Sequence, residues 1–239
     1  MVISRYTLAT ARIAVSATLL FAHSTGAQQR QDPGAATSAA PSAVDACNQF
    51  RNALNPPAQA GQQAAPDRAQ QSLGRIAEAG QQGITCAQAL ARYFESLRKG
   101  GAKGTWSDIE KEMDLVIDSY RALLERIEGT DGAYEEGQRA VTVLNEQIKD
   151  ITARRGETHE NVINARRTRD KIAASLEQTK NLKAVLDNVL VEMQGRKSEI
   201  VEAEGVQRYS AAQKALEDMN VGLAKVIDGL VKAIRKSGS

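Results

Sequence analysis

Aromatic and histidine side chains are scarce in this chain. Its 239 residues include one Trp, five Tyr, three Phe and two His. So few aromatic residues argue against a surface that stacks nucleic-acid bases and against a large globular core. His159 is the only histidine outside the N-terminal segment. The chain therefore has too few histidines for a histidine-rich metal site or for a relay of several histidines.

An excess of charge of one sign is also absent. The formal net charge is +2, and Arg5 and Arg12 of the N-terminal segment account for it. The rest of the chain is formally neutral, so it has no overall electrostatic attraction for nucleic acid or anionic lipid. We therefore expect no nucleic-acid partner.

Motifs of the common catalytic and nucleotide-binding classes are missing as well. His159-Glu160 could begin an H-E-x-x-H metal motif, but Ile163 occupies the place of the second histidine. The glycines of residues 99–104 are not followed by the lysine and serine of a phosphate-binding loop, and no G-x-S-x-G elbow occurs. We predict a non-enzymatic protein with no catalytic residues, no metal and no cofactor.

The N-terminus has the pattern of an export signal. Arg5 and Arg12 precede the apolar run 13–22, and small residues follow it up to Ala27. The run is too short to cross a bilayer, so residues 1–27 are interpreted as a signal peptide. The small and polar residues 28–43 are predicted to form a flexible tether. The expected location is the periplasm or the extracellular space.

Two cysteines lie in the next region, residues 44–99, which is predicted to form two short helical segments separated by the proline-rich stretch 55–67. Cys47 and Cys86 each fall on the apolar face of their segment. In an exported protein this favours a Cys47–Cys86 disulfide, which closes a loop of about 40 residues and contributes about 4 kcal/mol in the loop-entropy model. Two buried free thiols are the alternative.

A glycine-rich hinge at residues 100–104 is predicted to separate this region from long helices in residues 105–236. Ser107 to Glu110 matches a capping box. The first long helix has a coiled-coil pattern of apolar residues at Ile109, Met113, Val116, Tyr120, Leu123 and Ile127. The turn at 129–132 is short, so the next helix is expected to be its antiparallel neighbour.

That next helix is expected to extend from Ala133 to Gln194, either continuous or broken near Gly156. Residues 195–198 combine a glycine with a serine that could cap, so they are predicted to form the following turn. The last helix, 216–236, has a strong apolar face and several lysines, which fits either a coiled-coil strand or a helix that lies on a membrane surface.

Residues 151–170 interrupt the apolar pattern with five arginines, three acidic residues and a histidine. Arg155, Thr158 and Arg169 occupy positions where the heptad requires apolar side chains. One interpretation is a surface that contacts a partner, formed by Arg154, Arg155, Arg166, Arg167 and Arg169. The alternative is a solvated length of helix, or a kink near Gly156, whose charges pair with the acidic residues of the helix that precedes it.

These observations together predict an all-α fold: an elongated antiparallel helical bundle or coiled coil with a small disulfide-tied N-terminal part. We expect a scaffold or interaction component of a bacterial-type cell envelope or secretion assembly, which binds protein partners or other copies of itself through its helices. A periplasmic holdase-type chaperone and a membrane-surface-binding amphipathic protein are the alternatives.

Overall fold

The computed structural model describes residues 40–55, 64–101, 105–130 and 132–235. Within these ranges the chain forms six α-helices and no strands, which confirms the predicted all-α bundle. The helices are α1 (Ala40–Ala53), α2 (Ala65–Arg98), α3 (Trp106–Glu128), α4 (Ala133–Arg155), α5 (Glu160–Glu202) and α6 (Gly205–Arg235). The predicted signal peptide and residues 28–39 of the predicted tether lie outside the described residues.

The predicted disulfide is present and joins α1 to α2. Cys47 and Cys86 are both buried, and their Cα atoms are 4.5 Å apart. One turn after Cys47, Phe50 packs on Tyr120 of α3 with 5.0 Å between the ring centroids. Helix α1 begins at Ala40, so the last four residues assigned to the tether are helical. The disulfide and this aromatic pair hold α1 on the bundle.

Helix α2 has 34 residues, so it is longer than the short segment expected from the sequence, and it packs against each of the other five helices. Two glycines allow close approach: a Cβ at Gly80 would lie 2.9 Å from Ile227 of α6, and one at Gly83 would lie 2.9 Å from the Tyr120 hydroxyl. A single hydrophobic core therefore includes residues on both sides of the predicted hinge.

Helix α3 begins two residues earlier than predicted. Thr105 is the N-cap, its hydroxyl accepts a hydrogen bond from the Asp108 amide at 3.3 Å, and the Thr105 amide donates to the Asp108 carboxylate at 3.1 Å. The capping box is thus Thr105 to Asp108, and the predicted box at Ser107 to Glu110 is wrong because both of its residues lie inside the helix. The predicted apolar stripe of α3 is confirmed, since its six residues are all buried.

Helices α3 and α4 lie end to end along α5. Lys183 of α5 binds Glu128 near the end of α3 at 2.8 Å, whereas Lys197 binds Asp114 nearer its start at 2.6 Å. Further back along α5, Leu176 packs on Gly137 of α4. Both shorter helices therefore run antiparallel to α5 and parallel to each other.

The expected antiparallel packing of α3 against α4 is consequently wrong. Helix α5 has 43 residues and is about 65 Å long at 1.5 Å per residue, whereas α3 and α4 have 23 residues each. One long helix can thus cover the apolar faces of two shorter helices placed in tandem. The chain therefore keeps its direction from the end of α3 at Glu128 to the start of α4 at Ala133.

The chain reverses at Gly156, where φ is +86°. This left-handed backbone ends α4 at Arg155, and α5 starts after His159, whose Nδ1 accepts a hydrogen bond from the Asn161 amide at 3.2 Å. The break near Gly156 is therefore the alternative that the structure supports. A continuous helix from Ala133 to Gln194 is excluded.

The turn predicted at 195–198 is wrong, because α5 continues through it to Glu202. Arg196 is paired with Asp218 of α6 at 2.7 Å, and Lys197 is paired with α3, so neighbouring helices hold these residues in helical geometry. The chain turns instead at residues 203–204, before Gly205 with φ of +51°. Helix α6 then packs against α2 and α5.

Candidate partner-binding surfaces

A two-helix arm, residues 145–170, extends from the bundle at the Gly156 turn. Within it Ile148 and Val162 are the only fully buried side chains, and neither belongs to the main hydrophobic core. Ile172 lies in α5 at the base of the arm, and Ile234 lies in the last turn of α6. Both line the same cavity, so the end of α6 lies level with the base of the arm. The arm therefore continues past the end of α6 and exposes most of its surface to solvent.

All five arginines predicted to contact a partner lie on this arm. Three of them have acidic neighbours: Arg154 binds Asp150 at 2.7 Å, Arg169 binds Asp170 at 2.6 Å, and Arg166 lies 3.9 Å from Glu157. All of these ion pairs are largely exposed, where such pairs stabilise a protein little. The arm thus neutralises part of its own charge.

Arg155 and Arg167 have no acidic partner among the described residues. The Arg155 guanidinium instead lies 3.3 Å from Nε2 of His159, and Arg167 is exposed. Ile163 is 48% exposed and lies one helical turn before Arg167. The surface of the arm therefore combines an exposed aliphatic side chain with uncompensated guanidinium groups, and arginine is among the residues enriched at energetically important contacts.

The sequence reasoning missed Ile163. Val162 is buried, and the next residue, Ile163, lies on a different side of the helix and therefore faces solvent. An isoleucine on the polar face of a charged helix was the available signal. The interpretation of Arg155 and Thr158 as defects in an apolar seam is also wrong, because both residues flank a turn and no helix pair continues through them.

The alternative interpretation of the charges was that acidic residues of α3 pair with the arm. The described residues of α3 and of the arm show no such pair. Glu110 and Asp114 face Lys197, and Glu128 faces Lys183 at 2.8 Å. Lys183 donates hydrogen bonds to Glu128 and to Asp187, and these bonds, most of all the one to Glu128, raise the pKa of its ammonium group. Three acidic residues of α3 are therefore paired with the middle and C-terminal part of α5.

A second exposed surface surrounds the turn between α5 and α6, and residues 198–207 are called here the turn end. Val201 and Val206 are 43% and 59% exposed. Glu199, Glu202 and Glu204 are exposed and have no ion pair with any described residue, and the turn end contains no Lys or Arg. The surface is thus apolar with an acidic border.

Arg208 holds this turn in place from the adjoining turn of α6. Its Nε donates to the Ala203 carbonyl at 2.7 Å and its Nη2 donates to the Val201 carbonyl at 2.8 Å. The guanidinium also lies over the Trp106 ring, 4.5 Å from its centroid. The cation is therefore committed to backbone carbonyls and an aromatic face, and the nearby glutamates have no salt bridge to it.

Other kinds of site find little support in the described part of the chain. No group of acidic, histidine or cysteine side chains there could hold a metal ion. A cavity of about 100 Å³ between α2, α5 and α6 is smaller than the roughly 300–1,000 Å³ typical of ligand pockets.

No described helix is both long and apolar enough to span a bilayer. The apolar face of α6 is used inside the bundle, where Leu216, Leu223 and Leu230 are buried.

No family model matches the chain, and no curated protein or solved structure shows significant similarity to it.

Proposed function

We propose that this chain is an exported, non-enzymatic helical protein that acts as an interaction or scaffold component of a bacterial-type envelope or secretion assembly. The observation that carries the proposal is the arm. It extends past the end of α6, has few buried contacts, and presents Ile163 with Arg155 and Arg167 to solvent. These groups fit a protein surface with an acidic border around an apolar centre.

The arm contributes little to the stability of the bundle. Only Ile148 and Val162 are fully buried in it, whereas most large side chains of the other helices share the main core. The main core therefore takes few contacts from the arm, and segments with so few buried contacts open at low free-energy cost. A solvated projection of this kind is typical of segments used for recognition.

Export is part of the same proposal. It is based on the N-terminal residues 1–27 and on the buried Cys47–Cys86 disulfide, since disulfides persist mainly in oxidising compartments. Fusion of the N-terminal segment to a reporter enzyme that is active only outside the cytoplasm tests this part. A fusion that is produced in full but shows no reporter activity contradicts it.

Site-specific photo-crosslinking tests the contact. A photoreactive residue at Ile163 should crosslink to protein in cells that produce the chain, and the yield should fall when Arg155 and Arg167 are replaced by Ser. The matched control is a photoreactive residue at Val221, which is 76% exposed but lies on α6, outside the arm. Equal crosslinking from both positions, or no crosslinking from Ile163, contradicts the proposal.

The holdase alternative makes a different prediction. A scaffold should leave the aggregation of a denatured model protein unchanged at equimolar ratio, and a holdase should suppress the light scattering. Suppression that survives the Ser replacements on the arm would favour the chaperone function.

A further inference from the structure

The arm and the turn end lie at opposite ends of α5, and their surfaces are complementary. The arm carries six basic residues against five acidic ones, and its arginines that pair with no described acidic residue are Arg155 and Arg167, whereas residues 198–207 carry three acidic residues and no basic one. Each surface has exposed aliphatic side chains at its centre: Ile163 on the arm, and Val201 with Val206 on the turn end. Their separation along α5 prevents the two surfaces of one chain from meeting.

We infer that the arm of one copy of this chain binds the turn end of a second copy, so that the copies associate head to tail. The inference rests on the proposed function and names the partner of the arm. In this contact, Ile163 lies against Val201 and Val206, and Arg155 and Arg167 face the three glutamates of the turn end. Aliphatic contact and opposite charge then act at the same place.

The glutamates of the turn end are unfavourable for the isolated chain. Glu199 and Glu202 lie in the last turn of α5, where the helix dipole places partial negative charge, and that turn contains no basic residue. Acidic side chains at this end destabilise a helix, and Arg208 does not pair with them because it binds carbonyls and Trp106. A cationic partner would remove this repulsion, which explains the placement.

Symmetry decides the mode of association. A two-fold contact of arm with arm would bring together two surfaces that each carry Arg155 and Arg167 unpaired, and a contact of turn end with turn end would bring together glutamates alone. A contact between unlike surfaces places the unpaired arginines of the arm opposite the unpaired glutamates of the turn end. Such heterologous contacts continue from copy to copy unless the rotation between them closes a ring. The expected product grows with concentration and does not stop at a dimer.

Charge reversal with rescue tests the inference on the purified full chain. Arg155→Glu with Arg167→Glu, or Glu199→Lys with Glu202→Lys, should each lower the association constant at least about tenfold, which corresponds to about 1.4 kcal/mol. Combining the four substitutions should restore association, because the opposite charges then face each other with exchanged signs. Sedimentation velocity measures the size distribution of each variant over a range of concentrations, and circular dichroism confirms that each remains helical.

The matched control reverses two exposed lysines outside both surfaces, Lys180→Glu with Lys225→Glu, which changes the net charge as much as the arm variant does. It should associate as the unmodified chain does. A monomer at every concentration, equal association of all variants, or failure of the four-fold variant to recover overturns the inference. Crosslinks from Ile163 to a different protein, together with a monomeric purified chain, would overturn the head-to-tail contact and leave the proposed function standing.

Discussion

Replacing Gly195 with alanine distinguishes the observed path of α5 from the turn that its sequence indicates. Gly195 is exposed, lies within α5, and has no neighbour within 4 Å of an added Cβ. Glycine in a helix interior costs about 0.8–1.0 kcal/mol relative to alanine. Gly195→Ala should therefore stabilise the protein by about 1 kcal/mol, which raises the melting temperature by about 2–4 °C for a chain of this size.

Gly205 is the matched control, ten residues further along. An added Cβ there also meets nothing within 4 Å, but φ is +51°. Left-handed backbone costs about 1–2 kcal/mol for a residue with a Cβ, so Gly205→Ala should lower the stability by about that amount. The two substitutions are chemically identical and both sites are exposed, so their effects should have opposite signs because the backbone conformation differs.

Thermal and urea denaturation followed by circular dichroism measure both variants. If the chain instead turned at residues 195–198, Gly195→Ala would be neutral or destabilising, and Gly205→Ala would be stabilising as a substitution inside a helix. That reversed pair of signs would refute the helix boundaries of α5 and α6. Two stabilising substitutions would refute the turn at residues 203–204 alone.

Three further perturbations follow from the packing and the caps. Gly137→Ala should lower the stability by up to about 2 kcal/mol in urea denaturation, because its Cβ would lie 2.5 Å from a leucine of α5 and the overpacking cost of about 1–3 kcal/mol offsets the gain of about 1 kcal/mol from alanine in a helix. A gain of about 1 kcal/mol would mean that α4 and α5 are further apart. Replacing Cys47 and Cys86 by Ala should lower the stability by about 2–5 kcal/mol. Most of the circular dichroism at 222 nm should persist, because α1, which the disulfide joins to the bundle, has only 14 residues. Complete loss of helicity would contradict a core that the other helices share. Hydrogen bonds from Thr105 lower the pKa of Asp108, so the stabilisation that this carboxylate gives is present above its pKa in the unfolded chain and is lost as the pH falls through the lowered pKa. Asp108→Asn should therefore reduce the fall in melting temperature at acid pH, and an unchanged fall would show that the cap does not matter.

The helical class, the disulfide and the buried stripe of α3 could be predicted because each depends on local pattern. Apolar residues at spacings of three and four define one helix face, and two cysteines on such faces have one natural pairing in a chain that is predicted to be exported. The predicted cap at Ser107 missed by two residues because Thr105 offers the same hydroxyl chemistry to Asp108. Local signals of equal strength cannot be ranked without knowing which residue begins the packed helix.

The directions of the helices could not be predicted, since they depend on length matching between distant segments. The short turn at 129–132 suggested a hairpin, but α5 is long enough to pack on α3 and α4 in tandem. Gly195 and Gly205 carry no sequence signal that separates a helical glycine from a left-handed one. The arm could not be predicted for the same reason. Its arginines were recognised in the sequence, but their position near the tip of a hairpin depends on the reversal of the chain at Gly156.

The stacking of Arg208 on Trp106 gives the molecule an internal spectroscopic reporter. Trp106 is the single tryptophan of the chain. All indole emission therefore comes from the place where α3, α6 and the turn between α5 and α6 meet. A guanidinium 4.5 Å from the ring centroid, together with partial shielding from water, sets the wavelength and intensity of that emission. Fluorescence of the unlabelled protein therefore follows local opening of this corner of the bundle without any engineered dye.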